Sequence, residues 1–190
     1  MVFGGHMPRL DVKPIHDYPW YVRLIFWLQK RKYGEVLESA KLWGRSPKVF
    51  QGLSLFYGAL NRKSSPISPR LRALICTRIS QIVKCPFCVD INSALYVERK
   101  GDRKLLDELD QLERSSLFSE KEKAALKYAE AISNTPNRVT DALFAEVREH
   151  FSDDEVIELT ALIAFQNCSS RFNTALEVPS QGFFERRFKG

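Results

Sequence analysis

Helix-start chemistry recurs along this chain, and the recurrence restricts it to a helical fold. Ser46-Pro47 and Ser68-Pro69 each pair a capping side chain with proline at the first helical position. Cys85-Pro86 has the same form, with a thiol in place of the hydroxyl. Ser119-Glu120-Lys121-Glu122 and Ser152-Asp153-Asp154-Glu155 are capping boxes, in which serine and glutamate satisfy each other's backbone N–H groups. Asp102 and Thr140 are simpler caps. Apolar residues follow these starts at helical intervals, as in Val49, Phe50, Leu53 and Phe56, then Leu71, Leu74, Ile75, Ile79 and Ile82, then Val156, Leu159, Leu162 and Ile163. Strand-like alternation is nearly absent.

These signals predict an all-α, multi-helix fold of about eight or nine helices. The first begins at Trp20, after an extended arm from Met1 to Pro19. A short second helix around Val36, Ala40 and Leu42 lies between Gly34 and Gly44. Asn61 to Pro69 reads as a loop, and a cysteine-bearing helix runs from about Phe87 to Arg99, ended by Gly101. The expected organisation is an N-terminal arm and helices over 1–45, a helical domain over 46–180, and a basic tail over 181–190.

At 190 residues the chain can bury a core without covalent staples, and its 44% apolar and 27% charged content is that of a globular protein. No run approaches the roughly 18 apolar residues of a membrane span. The first residues have no signal-peptide pattern. A reducing cytoplasm is therefore the expected compartment, where paired cysteines serve redox chemistry rather than permanent cross-linking. The net charge of +6 raises nucleic-acid binding, but Arg31-Lys32, Arg62-Lys63, Arg99-Lys100 and Arg186-Arg187 scatter near helix ends and breaks. No nucleic-acid or membrane partner is expected.

Cys85-Pro86-Phe87-Cys88 places two thiols three positions apart. That spacing allows a small-ring disulfide. With Pro86 opening a helix, Cys85 falls at the N-cap, where unpaired N–H groups and the helix dipole stabilise a thiolate. Buried small apolar residues are the bland alternative. A zinc site is the other, but Cys76 and Cys168 stand alone, and His6, His16 and His150 form no close pair. No metal or cofactor is expected.

Ser68-Pro69-Arg70-Leu71-Arg72, Cys85-Pro86-Phe87-Cys88-Val89-Asp90, Phe118-Ser119-Glu120-Lys121-Glu122-Lys123-Ala124-Ala125 and the stretch Asn167 to Asn173 occur in that order. Together they resemble the carboxymuconolactone decarboxylase family, and within it the alkylhydroperoxidase-D-like, peroxidase-related branch, over roughly residues 46–180. The resemblance implies a helical subunit that assembles into trimers or hexamers. It also implies a dithiol peroxidase in which Cys88 meets the hydroperoxide, Cys85 resolves the sulfenic acid, and an external dithiol reduces the disulfide. The chain departs from the family's proton relay. Ala73 stands twelve positions before Cys85, where the family has glutamate, and Asn92 stands four after Cys88, where it has histidine. Neither is a general base, a loss worth about 10²–10⁴-fold.

Cys85, Cys88 and Asn92 are therefore the candidate site residues. Asp90 points to another helix face, and Glu98 lies too far along. Cys76 and Cys168 read as buried small apolar residues, and Arg171 as a buried ion-pair partner. Trp20, Trp27 and Trp43 suit the core or a subunit contact. Besides a thiol peroxidase or disulfide reductase, two readings stay open: lactone decarboxylation, which needs no cysteine pair, and a non-catalytic redox sensor.

Overall fold

The computed structural model describes residues 8–186. The first seven residues of the arm, with His6, and the last four of the basic tail lie outside the described residues. Among the described residues ten α-helices follow one another: α1 (Trp20–Tyr33), α2 (Glu38–Gly44), α3 (Pro47–Leu60), α4 (Pro69–Ile82), α5 (Pro86–Glu98), α6 (Arg103–Asp107), α7 (Glu120–Ser133), α8 (Asp141–His150), α9 (Asp153–Ala175) and α10 (Phe183–Arg186). Among the described residues there is no strand, and no helix is long and apolar enough to cross a membrane.

The helix starts follow the local chemistry. Ser68 Oγ accepts from the Leu71 N–H at 3.2 Å, and both capping boxes, Ser119–Glu122 and Ser152–Glu155, are formed. Ser46 stands at the cap of α3 but makes no side-chain capping bond. α10 is an element that the sequence pattern did not announce.

The helix ends are less conventional. α4 closes as a Schellman motif, with Cys85 N–H donating to the Ser80 carbonyl at 2.9 Å and Lys84 N–H to the Gln81 carbonyl at 3.0 Å. The left-handed residue is Lys84, at φ 56°. α5 and α9 close the same way through Lys100 (φ 61°) and Glu177 (φ 53°). Left-handed backbone is usually glycine's, because a Cβ there crowds the following carbonyl. Gly101 is thus not the left-handed residue of the α5 terminus. It is needed for a close approach, since a Cβ there would lie 2.4 Å from the Tyr96 ring, which is fully buried. Gly101→Ala is expected to destabilise the fold by about 1–3 kcal/mol through overpacking. Chemical denaturation checks this, and an unchanged midpoint would contradict it.

α4 is the central helix, packed against α5, α7 and α9. Leu74, Ile75 and Ile79 of α4 meet Ala125, Leu126 and Ala129 of α7 and Leu159 and Ile163 of α9 in a core from which water is excluded. Such burial, at about 25 cal/mol per Å² of apolar surface, is the main term holding the helices together. A smaller cluster of Tyr18, Val22, Phe26, Val36, Ala40 and Phe50 joins α1, α2 and α3 into a second layer. The thiols lie where that layer meets α5 and α9.

Candidate functional site

The Schellman turn at the end of α4 delivers Cys85 directly to the N-cap of α5. Its Sγ accepts the Cys88 N–H at 3.2 Å, so sulfur does the work of a capping oxygen. Pro86 occupies the first helical position and Cys88 completes the first turn.

The two thiols differ in character. Cys88 is held below the usual thiol range, first by the hydrogen bond from Cys85 and then by donors from Asn173, Ser170 and Gln166, which together outweigh burial. Cys85 is pushed up, because it keeps the proton it shares with Cys88 and is buried. The helix start was expected to favour a thiolate at Cys85; here the thiol held low is Cys88, in the first turn of α5, and the cause is its side-chain donors. Cys85 is completely buried among Leu42, Phe87, Val178 and Phe183. Cys88 is 2% exposed, yet it lines a cavity of about 340 Å³ that Cys85 does not reach. The wall of this cavity is mostly apolar, from Ile25 and Leu28 of α1, Trp43 of α2, Phe50 and Tyr57 of α3, and Phe165 of α9. Trp43 is stacked on Phe172 with centroids 3.5 Å apart.

A polar network surrounds the sulfur, and Ser39, Asn92 and Gln166 of it also line the cavity. Asn173 Nδ2 donates to Cys88 Sγ at 3.2 Å, and Asn173 Oδ1 accepts from Ser39 Oγ at 2.7 Å. Gln166 Nε2 donates to Ser170 Oγ at 2.8 Å and to Ser80 Oγ at 3.0 Å. Asn92, the third candidate, lines the cavity and donates to Ser80 Oγ at 3.3 Å, so it joins the network one residue away from the sulfurs. Ala73 is buried in α4.

Sequence reasoning missed Ser39, Ser80, Gln166, Ser170 and Asn173. One signal was present: Gln166, Ser170 and Asn173 recur at helical spacing along α9 and form a buried polar stripe facing inward. Asp90 does face away, as its place on the helix required. Its carboxylate accepts from Ser180 Oγ and from the backbone N–H groups of Gln181, Phe183 and Phe184, at 2.7–3.0 Å. Of three other residues, Cys76 is placed as expected, and Cys168 and Arg171 are not. Cys76 is buried, and burial pushes it up to about 12. Cys168 is exposed, because its position on α9 lies off the core stripe. Arg171 is also exposed and donates to the Ser133 carbonyl at 3.1 Å, so the buried ion pair expected for it is not formed. Trp20 and Trp27 stand 75% and 51% exposed on α1, while Trp43 turns into the cavity. Among the described residues, no group of three or more His, Cys, Asp or Glu side chains could hold a metal ion.

Residues 47–131, which include both cysteines of α5, match the model of the carboxymuconolactone decarboxylase family. Uncharacterized protein YnjA of Escherichia coli (strain K12) is 44% identical over 91% of this chain and 95% of its own. Among solved structures, an uncharacterized peroxidase-related protein from Ralstonia eutropha JMP134, described as an alkylhydroperoxidase AhpD core, superposes with TM-score 0.85 at 21% identity. That match covers 95% of this chain and 96% of the other. The apo debrominase Bmp8 superposes with TM-score 0.80 at 20% identity over 94% and 95% of the two chains.

Proposed function

The chain belongs to the carboxymuconolactone decarboxylase family and has the alkylhydroperoxidase-D-like fold, and from that premise we propose that it is a thiol peroxidase in which Cys88 attacks and Cys85 resolves. One observation carries the reading. The sulfur held in the thiolate direction is the one that opens onto the cavity, and a protonated thiol stands behind it within hydrogen-bond reach. The peroxidase-related description of the Ralstonia protein supports the same chemistry.

Cys88 gives its proton to solvent, and its thiolate attacks the terminal oxygen of a hydroperoxide. An S–O bond forms, the O–O bond breaks, and the departing alkoxide takes a proton from water. Cys85 then attacks the Cys88 sulfenic acid, an S–S bond forms, and the Cys85 proton leaves with the hydroxyl as water. An external dithiol reduces the disulfide, becoming a disulfide itself and returning both thiols. The apolar cavity wall suits an organic hydroperoxide with an apolar body better than hydrogen peroxide. No group in the relay positions can act as a general base, so turnover is expected to be modest. Trp20, Leu24, Trp27, Leu28 and Leu55 are large apolar side chains left exposed on α1 and α3, the kind of surface a second subunit would cover, which supports a homo-oligomer. Cytoplasmic residence fits a dithiol cycle that draws on an external reductant.

The test is a steady-state assay with an organic hydroperoxide and a dithiol reductant. Repeated consumption of peroxide, many equivalents per chain, is the expected result. A single oxidation with no turnover would make the protein a redox sensor, and no loss of thiols would overturn both readings.

A further inference from the structure

Resting on the reading of Cys88 as the attacking thiol, we propose that Asn173 is a catalytic residue that stabilises the Cys88 thiolate by donating a hydrogen bond to it, and that Ser39 on α2 positions it. Asn173 Nδ2 touches the reacting atom, Cys88 Sγ, at 3.2 Å. Its other amide atom is engaged by Ser39 Oγ at 2.7 Å, which fixes the orientation of the amide with its N–H aimed at the sulfur. Its backbone carbonyl accepts the Val178 N–H at 2.9 Å in the Schellman closure of α9. Asn173 is thus held on three sides. It is 1% exposed, and Ser39, 7% exposed, meets it at the edge of the cavity. Both residues lie outside the stretch 47–131 that matches the family model.

The remaining surroundings of Cys88 make the assignment sharper. α9 also brings Gln166 and Ser170, and neither titrates. The titratable groups near the sulfur are Cys85 at the start of its own helix and Cys76 on α4. Lys32 and Tyr33 of α1 and Tyr57 of α3 line the cavity wall. No carboxylate or histidine is among the residues lining that cavity. A glutamate–histidine relay would add its own ionisations to the reactivity of the thiol. An amide and hydroxyl cage adds none, so reactivity should follow the single ionisation of Cys88. The cage acts by donating hydrogen bonds to the anion, which are stronger than those between neutral groups.

Timed labelling with iodoacetamide across a pH series, with each cysteine read separately by peptide mass spectrometry, tests this without any peroxide. The result is therefore independent of whether the protein turns over. Wild-type Cys88 should label along a single-ionisation curve with a midpoint below that of an ordinary thiol. Asn173→Ala should raise the midpoint by about one to two pH units, slowing labelling below the midpoint by about tenfold to hundredfold, which is what a hydrogen bond to a charged acceptor is worth. Asn173→Asp is nearly isosteric and replaces the donor with an anion, so its midpoint should rise further. Ser39→Ala should give a smaller rise, and Ser39→Thr, which keeps the hydroxyl, should restore the wild-type curve. A purely structural role would not produce that rescue. Midpoints unchanged in Asn173→Asp and Ser39→Ala would overturn the proposal, and these two variants decide the matter if Asn173→Ala fails to fold.

Discussion

Cys88→Ser is expected to lower peroxide consumption by on the order of 10³-fold or more, because the thiolate is the nucleophile and a serine hydroxyl beside no base cannot replace it. Cys85→Ser should behave differently. It keeps a hydroxyl that can donate to the Cys88 sulfur, so the first oxidation should proceed, but no disulfide can follow. One equivalent of peroxide is consumed, the sulfenic acid persists, and a sulfenic-acid trap such as dimedone should label Cys88. Excess peroxide should carry that sulfur on to the sulfinic acid. The asymmetry follows from the geometry: Cys88 lines the cavity, and Cys85 is enclosed behind it. Dimedone adducts on Cys85 in Cys88→Ser, at a rate like that of wild type, would reverse the assignment.

The second large effect concerns how Cys85 is covered. Asp90 lies two residues after Cys88, yet its buried carboxylate turns away from the thiols and gathers Ser180 Oγ and three backbone N–H groups of 181–184. This fastens the C-terminal segment over α5, where Val178 and Phe183 pack in the same apolar cluster as Cys85. Gln181 extends the fastening by accepting the Glu38 N–H at 2.9 Å. Asp90→Ala removes the acceptor at one stroke. Three backbone N–H groups and a hydroxyl lose a charged partner, each such bond contributing about 1.5–3 kcal/mol before rehydration offsets part of it. A net destabilisation of about 2–4 kcal/mol is expected. Alkylation of Cys85 under native conditions should rise at least tenfold as the segment opens. Denaturation curves and peptide-resolved labelling measure the two effects. A loss of stability without faster Cys85 labelling would show that Leu42 and Phe87 seal that sulfur on their own.

Much of the scaffold was legible from side chains acting within one turn. Ser68, Ser119 and Ser152 announce α4, α7 and α9 because capping is a local contest for the first free N–H groups. The ends of α4, α5 and α9 were harder to read, since Lys84, Lys100 and Glu177 take left-handed conformations for which glycine is the usual signal. Tertiary packing pays that local cost. α10 escaped for a related reason: its first N–H groups are satisfied by Asp90, some ninety residues earlier, and no pattern within 180–186 reports such a partner.

The site divides along the same line. The Cys85–Cys88 spacing, the N-cap position of Cys85 and the placing of Asp90 on another face than Cys88 are properties of a single helix and were readable. Which thiol is activated was not, because that depends on Asn173, Ser170 and Gln166 arriving from α9. Nor could any spacing link Ser39 to Asn173 across 134 positions. The absence of the relay residues, Ala73 and Asn92, was plain in the sequence, but the network that surrounds Cys88 instead is visible only once α2, α5 and α9 are packed together. Cys168 and Arg171 show the limit of helical periodicity on a long helix, where positions off the core stripe are exposed whatever their neighbours suggest.

The most direct measurement is peptide mass spectrometry of the intact wild-type chain after one equivalent of an organic hydroperoxide, followed by rapid alkylation of the remaining thiols. An intramolecular link between Cys85 and Cys88, with Cys76 and Cys168 still alkylatable as free thiols after unfolding, is the predicted outcome. Recovery of both α5 thiols unoxidised, or a link running instead to Cys76 or Cys168, would contradict it.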